Sequence, residues 1–288
     1  MTGLLVVNEF LRLSKLDEIH EWLLKAAKKY GMELQLITNA ELLIDISSRP
    51  RGLNADFVLF WDKDVKLAYY LEQSGYPVFN SSRAIEICDD KSLTHLTLMN
   101  HGITMPDTII APKTFDNIGY TNYNFLTKIA EALGFPMVVK ECFGSFGKQV
   151  YLAQDFNELT ELVKGLGTKQ FLFQQLIVTS LGRDLRLQVV GGRVIASMQR
   201  FARNNDFRAN LTNGGAMEPY QPTQEQCSLA IRCCEAIGLD FAGVDLLFGE
   251  EDAPIVCEVN SNAHFKNIYD CTGVNAAEAI MEYIKKKL

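Results

Sequence analysis

Asp245, Glu258 and Asn260 punctuate two successive apolar runs, FAGVDLLF at 241–248 and PIVCEVN at 254–260, with a short acidic turn between them. Paired as neighbouring strands, the runs put Glu258 and Asn260 on one face, because residues of one parity point the same way, and Asp245 can face them. Such an all-oxygen set suits a hard cation such as Mg²⁺, whose octahedron waters and phosphate oxygens complete. Solvated carboxylates at strand ends leave the same pattern, so the rest of the chain must decide.

Upstream, Lys140 ends the apolar strand VVK. A buried lysine must find an anion or lose its proton, although snorkelling to solvent is the commoner fate of a strand-end lysine. The following loop, 141–149, carries Gly144, Ser145 and Gly147 at its tip, where backbone N–H groups can approach an anion unobstructed, and Lys148 could add charge. It is not a Walker A loop: its glycines are three apart and Gln149 follows Lys148. A plain hairpin turn reads equally well. Further on, FLFQQLI at 171–177 and GRDLR at 182–186 could wall a planar base. Peptide groups of Gln175, Leu176 and Ile177 would meet an adenine edge, and Asp184 the ribose hydroxyls or a cation; ordinary strand pairing is the alternative. Arg200, Arg208 and Asn210 belong to the polar stretch QRFARNNDFRANLTNGG. Arginine suits a bidentate grip on a γ-phosphate or acyl phosphate, with a solvated loop as the alternative.

The 288 residues are 48% hydrophobic and 22% charged, ordinary for a globular protein of two or three units, and the formal net charge of −7 excludes a nucleic-acid partner held by a broad basic surface. The seven cysteines lack C-x-x-C spacing and read as reduced thiols rather than a disulfide frame or zinc site. MTGLLVVNEF has neither the basic segment nor the apolar core of a signal peptide, and no run approaches the ~18 apolar residues of a membrane span. A cytoplasmic protein with no membrane partner is expected.

These residues need elements to hold them. GLLVV, MELQLI, ADFVLFW and YPVFN read as strands, with helices around 19–30 and 67–71, which predicts a parallel α/β unit over 1–84. That unit lacks a G-x-G-x-x-G between its first strand and helix, so a dinucleotide site there is unsupported, and it is expected to wall one side of a cleft. Over 85–176 the reading is helix through Ile85 and Leu93 to Met99, a helix at 124–133, a hairpin across the glycine loop, a helix at 156–163 and a strand at 170–177. Over 177–288 come two strands around Gly191-Gly192, a polar loop, a helix at 224–237 opened by a Thr223/Gln226 capping box, the two opening strands and a closing helix.

Taken in order, Lys91, Lys140, the glycine loop, QQLI, GRDLR, RAN, Asp245 and EVN resemble the ATP-grasp superfamily, and within it the RimK-type α-L-glutamate ligases, over residues 85–288. The resemblance implies a fold of α/β and α+β units: an N-terminal parallel α/β (pre-ATP-grasp) unit followed by a two-lobed ATP-grasp fold. It implies ATP between the lobes, with Lys140 and Lys91 on the phosphates beneath the glycine loop, Gln175, Leu176 and Ile177 at the adenine hinge and Asp184 on the ribose side. Arg208 and Asn210 would grip phosphate. Asp245, Glu258 and Asn260 would hold two Mg²⁺ ions, with Mn²⁺ as an alternative and Glu258 bridging. The implied reaction joins a carboxylate substrate to an amine or amino acid through an acyl phosphate, with Lys140 and Arg208 stabilising charge. Homo-oligomers are common in such families. Other readings are a ligase acting on a ribosomal peptide or protein, and a non-catalytic ATP-binding regulator. The chain departs from the family at Gln175, where a Glu is frequent, and at Asn262-Ala263-His264, where Ser-Pro-Gly is common; the latter borders the acceptor site and places His264 as a candidate base.

Overall fold

β1 (Thr2–Val7) has five consecutive buried residues, the pattern of a parallel strand covered on both faces. The computed structural model describes residues 1–11, 14–47, 52–144, 147–203, 206–209 and 214–288. In it β1 pairs in parallel with β2 (Glu33–Thr38) on one side and β3 (Phe57–Phe60) on the other. β4 (Val78–Phe79) completes the order β2-β1-β3-β4. Alternation sends Leu5, Phe57 and Leu59 towards α1 (Ser14–Lys29), and Leu4, Val6, Val58 and Phe60 towards α2 (Val65–Gln73).

α3 (Ser82–Asp89) and α4 (Lys91–Met99) share Asp90 as boundary; its carboxylate accepts from the Ser92 and Leu93 N–H groups and so caps α4. The central lobe follows as an antiparallel sheet, β5-β8-β6-β7, built from β5 (Thr108–Ile110), β6 (Met137–Glu141), β7 (Val150–Ala153) and β8 (Phe171–Gln175). α5 (Phe125–Leu133) and α6 (Phe156–Leu166) cover one face, taking in Met137, Val139, Phe171 and Phe173. The opposite parity, Lys140, Leu172 and Gln174, is left on the other face. The strand expected to run to Ile177 stops at Gln175, and a short 3-10 turn, Val178–Ser180, takes over.

The last sheet is antiparallel, ordered β11-β10-β9-β12-β13 from β9 (Arg183–Val190), β10 (Arg193–Phe201), β11 (Ala216–Pro219), β12 (Phe241–Phe248) and β13 (Pro254–Asn260). α7 (Gln224–Ile237) lies on its apolar face and starts with the expected capping box. β11, four residues on the sheet edge, and α8 (Lys266–Thr272) were not foreseen, being too short to show a period. α9 (Ala276–Lys287) closes the chain.

The cores do not follow chain order. One joins the N-terminal sheet and α1 to Val190, Phe241, Phe265 and α9. Trp61 stacks on Phe241 with centroids 5.6 Å apart and meets Phe265 edge-on. Asn80 rivets the same junction: its amide donates to the carbonyls of Phe241 and Ser261 and accepts from the N–H groups of Asp240 and Phe241. α3 and α4 pack with α7 and the C-terminal sheet, whereas the central lobe keeps a core of its own. No helix among the described residues is long and apolar enough to cross a membrane, and all seven cysteines are free thiols.

Candidate functional site

On β9 the side chains of Leu185, Leu187 and Val189 enter the core with α7, so Asp184, Arg186 and Gln188 take the opposite, polar face. The register places Arg200 of β10 opposite Asp184, and Asp245 of β12 opposite both Arg186 and Glu258 of β13; Gly243 sits opposite Asn260. Val256 pairs with Leu246 in the core, and Cys257 is the extra residue of a bulge between that pair and Asp245–Glu258. Without the bulge Glu258 would share the face of Val256 and point into the core; the inserted residue turns it to the side of Asp245.

Asp245 is buried and clamped. Its Oδ2 accepts from Arg186 Nη2 at 2.7 Å and Arg200 Nη2 at 3.0 Å, while Oδ1 accepts from Arg186 Nε. Arg200 also holds Asp184 bidentately, at 2.6 and 2.8 Å. Burial alone would raise the pKa of Asp245, but the guanidiniums of Arg186 and Arg200 outweigh it and hold the carboxyl below its usual range. For Asp184 burial prevails over Arg200 and the shift is upward. Gly243 makes the arrangement fit: a Cβ there would come within 2.5 Å of the Ala263 methyl and 3.0 Å of Arg186 Nη1. Arg186 escaped sequence reading, although it stands two residues from Asp184 and therefore on the same face.

The central lobe presents its cations to this face. Lys140 is buried, with Nζ 3.8 Å from Cys257 Sγ in the bulge. Lys91, at the start of α4, donates to the Gly144 carbonyl at 3.1 Å and lies 3.5 Å from Glu258 Oε1. Gly144 has φ +138°, and a Cβ on it would strike the Gln149 side chain, whose Oε1 is buried without a partner among the described residues. Arg208 reaches across to the same hairpin, donating to the carbonyls of Gly147 at 2.8 Å and Val150 at 3.2 Å, while Asp206 takes its other edge. Ser145 and Asn210 lie outside the described residues. At the expected adenine hinge, the Gln175 N–H donates to the Asp107 carbonyl, and Ile177 accepts from Ser180. Gln175 is exposed, and Leu176 and Ile177 are half-buried. Contacts and strand register therefore link Lys91, Lys140, Gly144, Gly147, Arg208, Asp184, Asp245, Glu258 and Asn260 where the glycine hairpin and the polar face of the last sheet approach, while His264 sits half-buried just before α8.

The oxygen set suits a hard divalent cation. Glu258 keeps 32% of its side chain exposed, and the Asn260 amide nitrogen is buried without a partner among the described residues. Asp245 accepts three bonds against the roughly four lone-pair sites of a carboxylate, which leaves Oδ1 room for one more ligand. Among the described residues no group of three His, Cys, Asp or Glu side chains could hold a metal.

Behind the cations lies a second residue that the sequence reading missed. His95, one turn after Lys91, has Nδ1 2.7 Å from the Lys91 carbonyl and Nε2 2.9 Å from Gln174 Nε2, which also donates to Thr108 Oγ1. Nδ1 must carry the proton to bond a carbonyl, so Nε2 accepts and the ring is neutral. Burial, with Lys140 nearby, pushes its pKa down from 6.5 to about 4. The unfolded chain takes up this proton below pH ~6.5, and the folded one only near 4. The stabilisation is therefore whole above the unfolded pKa and is lost as pH falls through that window, about 3 kcal/mol in all. His95→Gln should flatten the fall in urea midpoint between pH 7 and 4.5; an unchanged slope would place the acid sensitivity elsewhere.

A family model for the RimK-like ATP-grasp domain matches residues 88–284. The uncharacterized MG012 homolog of Mycoplasma pneumoniae is 36% identical over 252 residues, covering 86% of each chain. The probable alpha-L-glutamate ligase of Methanococcoides burtonii is 33% identical over 282 residues, 92% of this chain and 90% of that one. Beta-citrylglutamate synthase B of Danio rerio is 33% identical over 224 residues, which cover 77% of this chain but 54% of that longer protein. Among solved structures, a RimK domain ATP-grasp protein from Sphaerobacter thermophilus matches with TM-score 0.75 at 20% identity, covering 98% of this chain and 99% of that one, a likeness of fold.

Proposed function

The chain belongs to the RimK-like ATP-grasp family and is an ATP-dependent carboxylate–amine ligase, and we propose that it works in the cytoplasm, joining the amine of an amino acid, glutamate foremost, to the carboxylate of a small molecule or peptide. The observation that carries this reading is Lys91, which touches Gly144 of the glycine loop and Glu258 of the oxygen set at once, so that phosphate cover and cation ligands meet at one point. Glutamate is favoured because it is in the name of the Methanococcoides relative.

In this reading ATP phosphorylates the substrate carboxylate, and the amine then attacks the acyl phosphate and expels inorganic phosphate. Lys140 and Lys91 hold the phosphates, with Gly144, Ser145 and Gly147 supplying backbone N–H groups above them. Gln175, Leu176 and Ile177 border the adenine, and Asp184 supports the site through its bonds with Arg200. Arg208 exchanges its carbonyl partners on the hairpin for phosphate oxygens, and Asn210 is assigned to the same grip. Asp245, Glu258 and Asn260 would hold two Mg²⁺ ions, which when bound neutralise phosphate charge. Arg186 and Arg200 keep Asp245 ionised and oriented for that task.

The test is incubation with ATP, Mg²⁺ and pooled carboxylates and amino acids, following ADP and the mass of new products. An amide product formed in step with ADP is expected. ADP release that ignores every carboxylate–amine pair and yields no amide would sink the proposal.

A further inference from the structure

The N-terminal sheet has strand order β2-β1-β3-β4, so the chain turns outward in opposite directions from β1 and β3. In such open parallel sheets, ligands bind beyond the carboxyl ends of the two strands where the direction reverses. Asn8 directly follows β1, and Asp62 lies two residues beyond the end of β3, so both stand at that crevice. Asn8 Nδ2 donates to both Asp62 oxygens, at 3.2 and 3.1 Å. From the C-terminal lobe, Asn262 closes over the same point, donating its Nδ2 to the Asp62 carbonyl at 2.7 Å.

Two acceptors here lack what their chemistry calls for. Asp62 is 8% exposed, yet no cationic side chain among the described residues lies within ion-pair distance of it; the adjacent Lys63 turns away to Asp89, at 2.6 Å. Burial accordingly raises its pKa. Asn262 Oδ1 is buried and has no hydrogen-bond partner among the described residues. A buried carboxylate and an orphan carbonyl oxygen, on residues joined through the Asn262 bond to the Asp62 backbone carbonyl, each attract a donor bearing positive charge or N–H groups. Asn262 stands two residues after Asn260, within about 7 Å of it along the chain, so a group bound here lies next to the oxygen set.

We propose that Asp62 and Asn262 recognise the primary ammonium group of the amino-acid substrate, with Asn8 fixing the Asp62 carboxylate. This rests on the ligase reading and adds to it the place of the amine partner: the seam between the N-terminal sheet and the turn after β13. The carboxylate does not transfer a proton in this proposal; it binds and orients.

The experiment uses the full chain saturated with Mg²⁺ and the non-hydrolysable analogue AMPPNP, and an equimolar pool of the twenty L-amino acids observed by saturation-transfer NMR. At least one amino acid should bind, its deaminated analogue should bind at least tenfold more weakly, and Asp62→Asn should weaken the amino acid at least tenfold while leaving AMPPNP affinity unchanged. Asn262→Leu should weaken it at least threefold, and decides the matter alone if Asp62→Asn does not fold. A smaller effect, or no amino acid bound beside a bound nucleotide, overturns this inference and leaves the ligase reading standing. Failure to bind AMPPNP overturns both.

Discussion

Glu258→Gln should lower ADP formation roughly 10²- to 10³-fold, the equivalent of about 3–4 kcal/mol of charge stabilisation withdrawn from the transferred phosphoryl group. The substitution keeps the shape but removes the negative charge that the proposed cation site needs. Its structural cost is small. Glu258 is partly exposed and its one ion pair, to Lys91, is long at 3.5 Å, so the loss is within the ~0–1 kcal/mol of such contacts. A steady-state ADP assay across a Mg²⁺ titration, alongside thermal melting, separates the two effects. Full turnover in a folded variant would remove Glu258 from the cation site and with it the centre of the proposed mechanism.

Arg186→Met should act mainly on stability, by about 3–5 kcal/mol, because it strips one guanidinium from a buried carboxylate. Arg200 remains, but it already serves Asp184 bidentately and reaches only one Asp245 oxygen. The urea midpoint should fall with an unchanged slope. The pH dependence has a fixed sign: Asp245 is held below its ordinary pKa, so its contribution is present above the unfolded value near 4 and is lost as pH falls through the folded one. The gap between parent and variant should therefore narrow in acid. Adding Asp245→Leu to Arg186→Met should restore much of the stability, since an apolar pair of similar volume often replaces a buried ion pair at little cost, yet leave no turnover. A double variant no more stable than the single one would mean that Arg186 supports the fold by packing over Gly243 rather than by charge.

Much of this site could be read in the sequence, and the misses have physical causes. Lys140 and Lys91 were legible because a cation at an apolar strand end, or after two aspartates at a helix start, stands out against its surroundings. Glu258 and Asn260 were legible as a pair of equal parity. That they face Asp245 depends on the bulge at Cys257, and no alternation pattern announces one extra residue in a strand. Arg186 was hidden by its neighbour: GRDLR offered Asp184 as the polar residue, and only the register shows that the arginine is the one facing Asp245. His95 looked like a helix residue, since its partner Gln174, which also donates to Thr108, comes from a strand of another lobe. Asp62 and Asn8 sit at strand ends, where polar residues are unremarked until the strand order is known.

The junction made by Trp61, Asn80, Phe241 and Phe265 bears on what can stand alone. The recognisable domain begins at residue 88, but the C-terminal sheet and α9 bury part of their apolar surface against Leu5, Phe57 and Leu59, which precede it. Excised at that boundary, the piece carrying the chemistry would lay bare Phe241, Phe265 and the inner side of α9, a contiguous apolar patch of the kind that drives self-association. The family match thus marks the borders of a sequence pattern, whereas the buried surface that closes its last sheet is supplied by residues before residue 88.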